Sequence, residues 1–348
     1  MLVRANRLRT VVARARGWLA PPALVLMYHR ICTPERDPWQ LCVTPSHFGD
    51  HLEVIRRHGP QMPVRDLARG LAGGRAPRRA IVITLDDGYA DNLHQARPLL
   101  ERYDVPATVF VAAGYLGRPE GFWWDELERL VLAPVDVPPH LRLQVRGAAH
   151  DYSIAGGTRY TRHEQARDIG WRASTEAPTE RHRLFGELYR LLRPLTDPER
   201  RQALTDLASW SGVESRIAST DRSLTVAELQ ALASDGLVEI GAHTLTHPQL
   251  SALSDEDQQA EIRRSRVVLQ EMTGRDVVSF AYPYGGRSDY TAATVRLVRD
   301  GGFSGACAAV PGVVRRATSP FEIPRLHVED CDGDGLARRL AHWTAGGV

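Results

Sequence analysis

The residues most able to do chemistry in this chain fall into three short clusters. Asp86 and Asp87 are adjacent carboxylates followed by Gly88, directly after the apolar run AIVITL. Neighbouring side chains on an extended segment point opposite ways, so one carboxylate can hold a metal while the other faces a substrate. Alone, Asp-Asp-Gly is also an ordinary turn, because Asp and Gly both favour turn conformations. His243 and His247 form the second cluster, within HTLTHP. Their four-residue spacing brings two imidazoles to one side, in a helix or in a tight loop. No glutamate follows the first histidine, which excludes the HExxH arrangement of zinc proteases. With Asp87 the pair makes a His, His, carboxylate set that leaves positions open for water and substrate. The third cluster is looser. It holds His327 in PRLHV, Arg325 two residues earlier, and His29 after the run ALVLMY. Alternation along a strand puts residues 325 and 327 on one face. His29 either touches substrate or caps its strand.

The elements that must position these residues are legible as apolar runs. Residues 23–28, 80–85, 107–112, 237–241, 277–281, 303–308 and 322–326 read as buried strands. Helical spacing separates them at 44–58, 92–103, 225–234, 255–273 and 291–301. Thr225 with Glu228 makes a capping box, and Gly274 closes the long 255–273 helix. Strand and helix in alternation predict a parallel sheet with covering helices. The titratable residues sit just after the strands, the face on which a parallel barrel builds its active site. The rhythm breaks between residues 118 and 222. That segment holds Trp123-Trp124, a proline-rich stretch, a hairpin over 141–160, and a helix with Leu184, Leu188, Leu191 and Leu195 on one face. The predicted organisation is a basic arm at 1–20, barrel at 21–117 and 223–335, an inserted subdomain at 118–222, and a tail at 336–348. Trp123 and Trp124 serve either the core of the insertion or a sugar ring.

Composition narrows the class further. The chain has 348 residues and is 43% hydrophobic, enough for a sizeable core. Its basic residues are all arginine, mixed with 42 acids to a formal charge of +2, which argues against nucleic acid as a partner. The cysteines Cys32, Cys42, Cys307 and Cys331 show no CxxC spacing and read as buried thiols of a reducing compartment. No apolar run reaches the ~20 residues needed to span a bilayer. Residues 1–19 carry five arginines and no acid, an arm that could make peripheral contact with an anionic membrane. They lack the apolar core of a secretory signal, so a cytoplasmic location is the expectation.

Four segments together, MYHRI, ITLDDGYADN, EIGAHTLTHPQLS and FAYPYGG, resemble the NodB-like polysaccharide deacetylases, the family-4 carbohydrate esterases. The resemblance covers roughly residues 23–117 and 223–330, in the family's order. It implies a distorted (β/α) barrel with fewer than eight strands. It also implies metal-dependent hydrolysis of an N-acetyl group on an amino sugar, in a glycan, glycolipid or biosynthetic intermediate. By this resemblance Asp87, His243 and His247 are metal ligands, Asp86 the catalytic base and His327 the general acid. Tyr284, with Pro283 beside it, is placed at the substrate through a backbone N–H. Zinc is the expected ion for so nitrogen-rich a site, with cobalt or nickel as alternatives. Two departures stand out. Ala281 follows Phe280 where the family often carries the arginine that fixes the base, and no aspartate-tryptophan motif is evident. Arg325 is the candidate to take over that orienting role. The alternatives are deformylation or O-deacetylation on the same chemistry, or a non-catalytic glycan-binding barrel.

Overall fold

The computed structural model describes residues 21–75, 77–213 and 221–347. The basic arm at 1–20, and with it the expected membrane contact of residues 1–19, lies outside the described residues. Eleven strands are present among them. β1 is Leu24–Tyr28, β2 Arg30–Ile31, β3 Cys42–Val43, β4 Ile81–Leu85, β5 Ala107–Val111 and β6 His140–Val145. β7 is Ala148–Ser153, β8 Val238–Ala242, β9 Ser279–Ala281, β10 Gly305–Cys307 and β11 Leu326–His327.

Seven of these form one parallel sheet in the order β10-β9-β8-β5-β4-β1-β11. The sheet curls until its ends nearly meet. Ile323 bridges Cys307 of β10, and the same stretch of chain runs on into β11 beside β1. The fold is therefore the expected distorted barrel of fewer than eight strands. Strands β1, β4 and β5 are buried at every position and largely apolar because both faces are covered. Alternate residues serve the two sides. Leu24, Leu26, Ile81, Ile83 and Val109 pack outward with the helices, while Val25, Val82, Phe110 and Cys307 fill the interior. Gly241 keeps the wall close there, since a Cβ on it would lie 2.5 Å from the Phe110 ring.

A helix over Val64–Ala72, not foreseen from the sequence, plugs the N-terminal end of the barrel with Val64, Leu67, Ala68 and Leu71. Its first turn is held from inside. Val64 N–H donates to Thr108 Oγ1, and Arg65 N–H donates to the buried Glu239 carboxylate. With one mouth closed, chemistry is left to the other.

Three expectations are adjusted by proline and packing. The helix expected at 92–103 opens as a π-turn, Asn92–Ala96, before the α-helix Arg97–Tyr103. Pro98 lacks an N–H, and the Arg97 N–H bonds back to the Asn92 carbonyl. The final strand is later than expected: Ile323 makes its bridge, Pro324 interrupts the ladder, and β11 follows. The supposed tail from 336 lies mostly in a helix, Gly333–Thr344, which buries Leu336 and Leu340 in the barrel's outer core.

The segment 118–222 packs around a second core, including Trp123, Leu127, Val131, Leu143, Phe185, Leu188, Leu204 and Leu207. Its hairpin is β6 and β7, turned at Arg146 and Gly147, both with positive φ as a two-residue type I′ turn requires. Helices Trp123–Leu132, Arg162–Arg167, Glu180–Leu192 and Asp197–Ser211 accompany it. No helix among the described residues is long and apolar enough to cross a membrane.

Candidate active site and metal centre

The open mouth of the barrel collects the titratable residues. Asp86 and Asp87 follow β4 directly, and Asp86 N–H still donates to the Tyr28 carbonyl of β1 at 3.0 Å. Asp87 then turns sharply, with φ at 75°, and Gly88 follows at 85°. This reversal sends the two carboxylates to different places. His243 follows β8, and a tight loop brings His247 back over it, their ring centres 4.8 Å apart. Thr244 and His247 both adopt positive φ in that loop. Glu261 holds it, accepting from Leu245 N–H and Thr246 N–H at 2.8 Å each and from the Thr246 hydroxyl at 2.7 Å.

Asp87, His243 and His247 offer one ligand atom each, all within 4.8 Å of one another, and all three residues are buried. Both histidines present Nε2 to Asp87 Oδ1, at 3.5 and 3.4 Å. His243 Nδ1 lies 2.8 Å from the Ala281 carbonyl, which accepts its proton and leaves the Nε2 lone pair facing the site. Burial pushes both imidazoles toward the neutral form, and His247 is also opposed by His243. Burial, then Asp86, pushes the Asp87 carboxyl well above its usual range. Two neutral imidazoles around a carboxylate that lacks charge compensation make a donor set suited to a divalent cation.

Asp86 has the opposite surroundings. Arg325 clamps it through both oxygens, Nη1 to Oδ1 at 2.6 Å and Nη2 to Oδ2 at 2.8 Å. The guanidinium is 1% exposed. It also donates to the Ala308 carbonyl and to Thr84 Oγ1. Burial raises the Asp86 pKa, but Arg325, His243 and His29 outweigh it and hold the carboxyl below its ordinary value. His29 Nε2 lies 4.0 Å from Asp86, and burial lowers its pKa to about 3. His327 stands 6.0 Å from His29, ring centre to ring centre. Burial lowers its pKa, against the pull of Glu329 and Asp37 and a hydrogen bond to the Gln40 backbone.

A cavity of about 310 Å³ opens onto this group. Asp86, Asp87, His243, His247, Tyr284, His29 and His327 all line it, while Arg325 stands behind Asp86. Pro283 is not in its wall. The tryptophan pair divides. Trp123 is fully buried in the second core, whereas Trp124 reaches the cavity and packs on His247 at 4.8 Å. No local sequence pattern marks the other aromatic and apolar wall residues. Trp39 and Leu41 come from the loop between β2 and β3, and Tyr189 from the helix Glu180–Leu192. Trp39 lies on Tyr189 at 4.0 Å, so a barrel loop and the 118–222 segment form one aromatic side.

The polysaccharide deacetylase family model matches residues 73–175 and 212–304, more than half of the chain and all of the Asp-Asp and His-His segments. The chain belongs to the polysaccharide deacetylase family. A Bacillus subtilis relative, YxkH, whose name assigns it provisionally to these deacetylases, is 25% identical over 33% of this chain and 41% of its own. Staphylococcus aureus poly-beta-1,6-N-acetyl-D-glucosamine N-deacetylase is 24% identical over 28% of this chain and 38% of its own. The matches thus span about two fifths of these relatives' length. Among solved structures, the Streptococcus pyogenes deacetylase PplD in complex with acetate superposes with a TM-score of 0.55 at 16% identity, covering 92% of this chain and 99% of its own. IcaB from Ammonifex degensii gives 0.55 at 17% identity, covering 93% and 97%. At such identities these two likenesses speak for the fold of a polysaccharide deacetylase.

Proposed function

We propose that this chain is a metal-dependent hydrolase that removes the N-acetyl group from an amino sugar in a glycan, glycolipid or sugar-containing biosynthetic intermediate. One observation carries the reading. Two adjacent carboxylates at one strand end have opposite environments, Asp87 facing two imidazoles and Asp86 clamped by a guanidinium. Environments that push neighbouring titratable groups apart divide their roles.

A divalent cation held by Asp87, His243 and His247, zinc by preference, would supply a Lewis acid and bring a bound water's pKa from 15.7 to about 7. Asp86 is kept ionised by Arg325 and takes the proton of the water that attacks the acyl carbon. Trp124, Leu41, Trp39 and Tyr189 keep bulk water from the reacting atoms. The turn at Tyr284 offers a backbone N–H to the developing oxyanion. His327 returns a proton to the departing amine; burial lowers its pKa, and Glu329 and Asp37 oppose that shift. The Staphylococcus aureus relatives motivate the probe: oligomers of β-1,6-linked N-acetylglucosamine incubated with zinc-loaded protein. Acetate and free amine should appear in equal amounts and vanish after chelation. Formate from N-formyl substrates would point to deformylation, and acetate without amine from O-acetylated sugars to an esterase. Glycan binding without release of either acid would mark a non-catalytic barrel and overturn the proposal.

A further inference from the structure

Cys32 and Cys42 stand ten positions apart in sequence, yet their sulfurs are 3.2 Å apart. The short strands β2 and β3 set that distance. They pair in parallel with Arg30 opposite Cys42 and Ile31 opposite Val43, and Cys32 N–H continues the ladder to the Val43 carbonyl at 3.0 Å. The two side chains therefore leave neighbouring strands diagonally. The diagonal offset separates the Cα atoms more than direct opposition does, so closing the sulfurs from 3.2 Å to the ~2.05 Å of a disulfide draws the two strand ends together. Cys42 is buried and Cys32 half-buried, and both line a second cavity of about 610 Å³ outside the active site. A small thiol reagent has room to enter there.

The chain between the two cysteines builds part of the catalytic cavity. Asp37 ties its base, accepting from Leu41 N–H at 2.8 Å and Cys42 N–H at 2.9 Å. Trp39 and Leu41 line the cavity, and Trp39 leans on Tyr189. The Pro38 carbonyl accepts from Ala173 N–H at 2.8 Å, anchoring the loop to the 118–222 segment. Whatever fastens residues 32 and 42 also restrains one wall of the site.

We propose that Cys32 and Cys42 are a reversible thiol–disulfide site, closed by exchange with a low-molecular-weight disulfide, and that the bond fastens the loop walling the catalytic cavity. Cys32, the more exposed sulfur, attacks the small disulfide as its thiolate. The S–S bond of the reagent breaks, one thiolate leaves, and a mixed disulfide remains on Cys32. The Cys42 sulfur, freed of its proton, then attacks Cys32 Sγ and expels the second small thiolate. Two protein thiols are oxidised by two electrons, the small disulfide is reduced to two thiols, and the two protons end on those thiols. Cys42 is the slower partner as a free thiol, because its hydrogen bond to Cys32 and its burial push its pKa up. Docked beside the mixed disulfide, it is already at attacking distance.

The test uses the whole chain equilibrated with oxidised and reduced glutathione at graded ratios, then acid-quenched and alkylated. Peptide mass spectrometry should find Cys32 linked to Cys42, with two hydrogens lost and both thiols restored by dithiothreitol. Amide exchange over residues 33–41 should slow about tenfold in the oxidised protein, as a closed loop loses local opening. Cys42→Ser should stop at the mixed disulfide on Cys32, and Cys32→Ser should show no exchange change under either buffer. Glutathione adducts without the internal link, or a link that leaves exchange over 33–41 unchanged, would overturn the proposal.

Discussion

The site turns on how a pair of neighbouring carboxylates is treated, and the two aspartates can be separated by mutation. Asp87→Asn should lose metal and turnover together. Asp86→Asn should keep the metal, measured by elemental analysis, while kcat falls by at least ~100-fold. Equal metal loss in both variants would show that the division of labour is wrong. Arg325 calls for a conservative variant. A surface arginine could be cut to alanine cheaply, but this one is sealed in the barrel beneath Asp86. Arg325→Ala should therefore cost about 3–5 kcal/mol of stability, since it strands a buried carboxylate. Arg325→Lys keeps the charge and gives up the two-pronged geometry. It should retain the fold and lower kcat ~10- to 100-fold with KM little changed. An Arg325→Lys enzyme with normal kcat would make the clamp merely structural.

At the scale of elements, strand ends position the candidate metal ligands, and one helix reaches in to support them. Glu261, on the helix Asp255–Thr273, holds three donors of the loop that carries His247. Glu261→Ala should leave the thermal transition largely in place and weaken zinc binding ~10- to 100-fold in a chelator competition titration. Unchanged affinity would mean the loop holds its left-handed residues without help. Nothing near Glu261 in the sequence announces this role, because the backbone amides it accepts from are sixteen and fifteen residues away. The same reasoning explains what was legible elsewhere. Asp86, Asp87, His243 and His247 could be found because each follows an apolar run whose end fixes its place. The Arg325–Asp86 pairing could be found because strand alternation puts residue 325 on the face of residue 327. Trp39, Leu41 and Tyr189 could not, since their convergence depends on a loop and a distant segment packing together. The helix Val64–Ala72 has the right spacing of Val64, Leu67, Ala68 and Leu71, but at nine residues it is short. Its stability comes from plugging the barrel, which no local pattern records.

Across the whole molecule, buried titratable groups pull stability in two directions with pH. His51, beneath the C-terminal helix, and His182, in the second core, both have their pKa lowered to about 4, chiefly by burial. His51 is fixed in its neutral form between the Tyr28 hydroxyl and the Cys331 carbonyl. Between pH 6.5 and 4 the unfolded chain protonates these histidines and the folded chain does not. Their contribution is thus fully present above pH 6.5 and is lost as pH falls toward 4. Asp125 and Glu128 act oppositely, for burial raises each to about 7, so the folded state holds protons that the unfolded state has released. The overall curve is a difference between the two sets, and wild-type data alone will not separate them. Removing one histidine does. His182→Gln should cost stability at pH 7.5, where Thr179 and Tyr160 lose their partner. That deficit should shrink as pH falls to 5, by up to about 1.4 kcal/mol per unit, because the variant has no imidazole to protonate on unfolding. Urea denaturation of both proteins at several pH values measures this directly. A deficit that stays constant from pH 7.5 to 5 would mean that His182 titrates alike in the folded and unfolded chains, and that its burial does not hold it neutral.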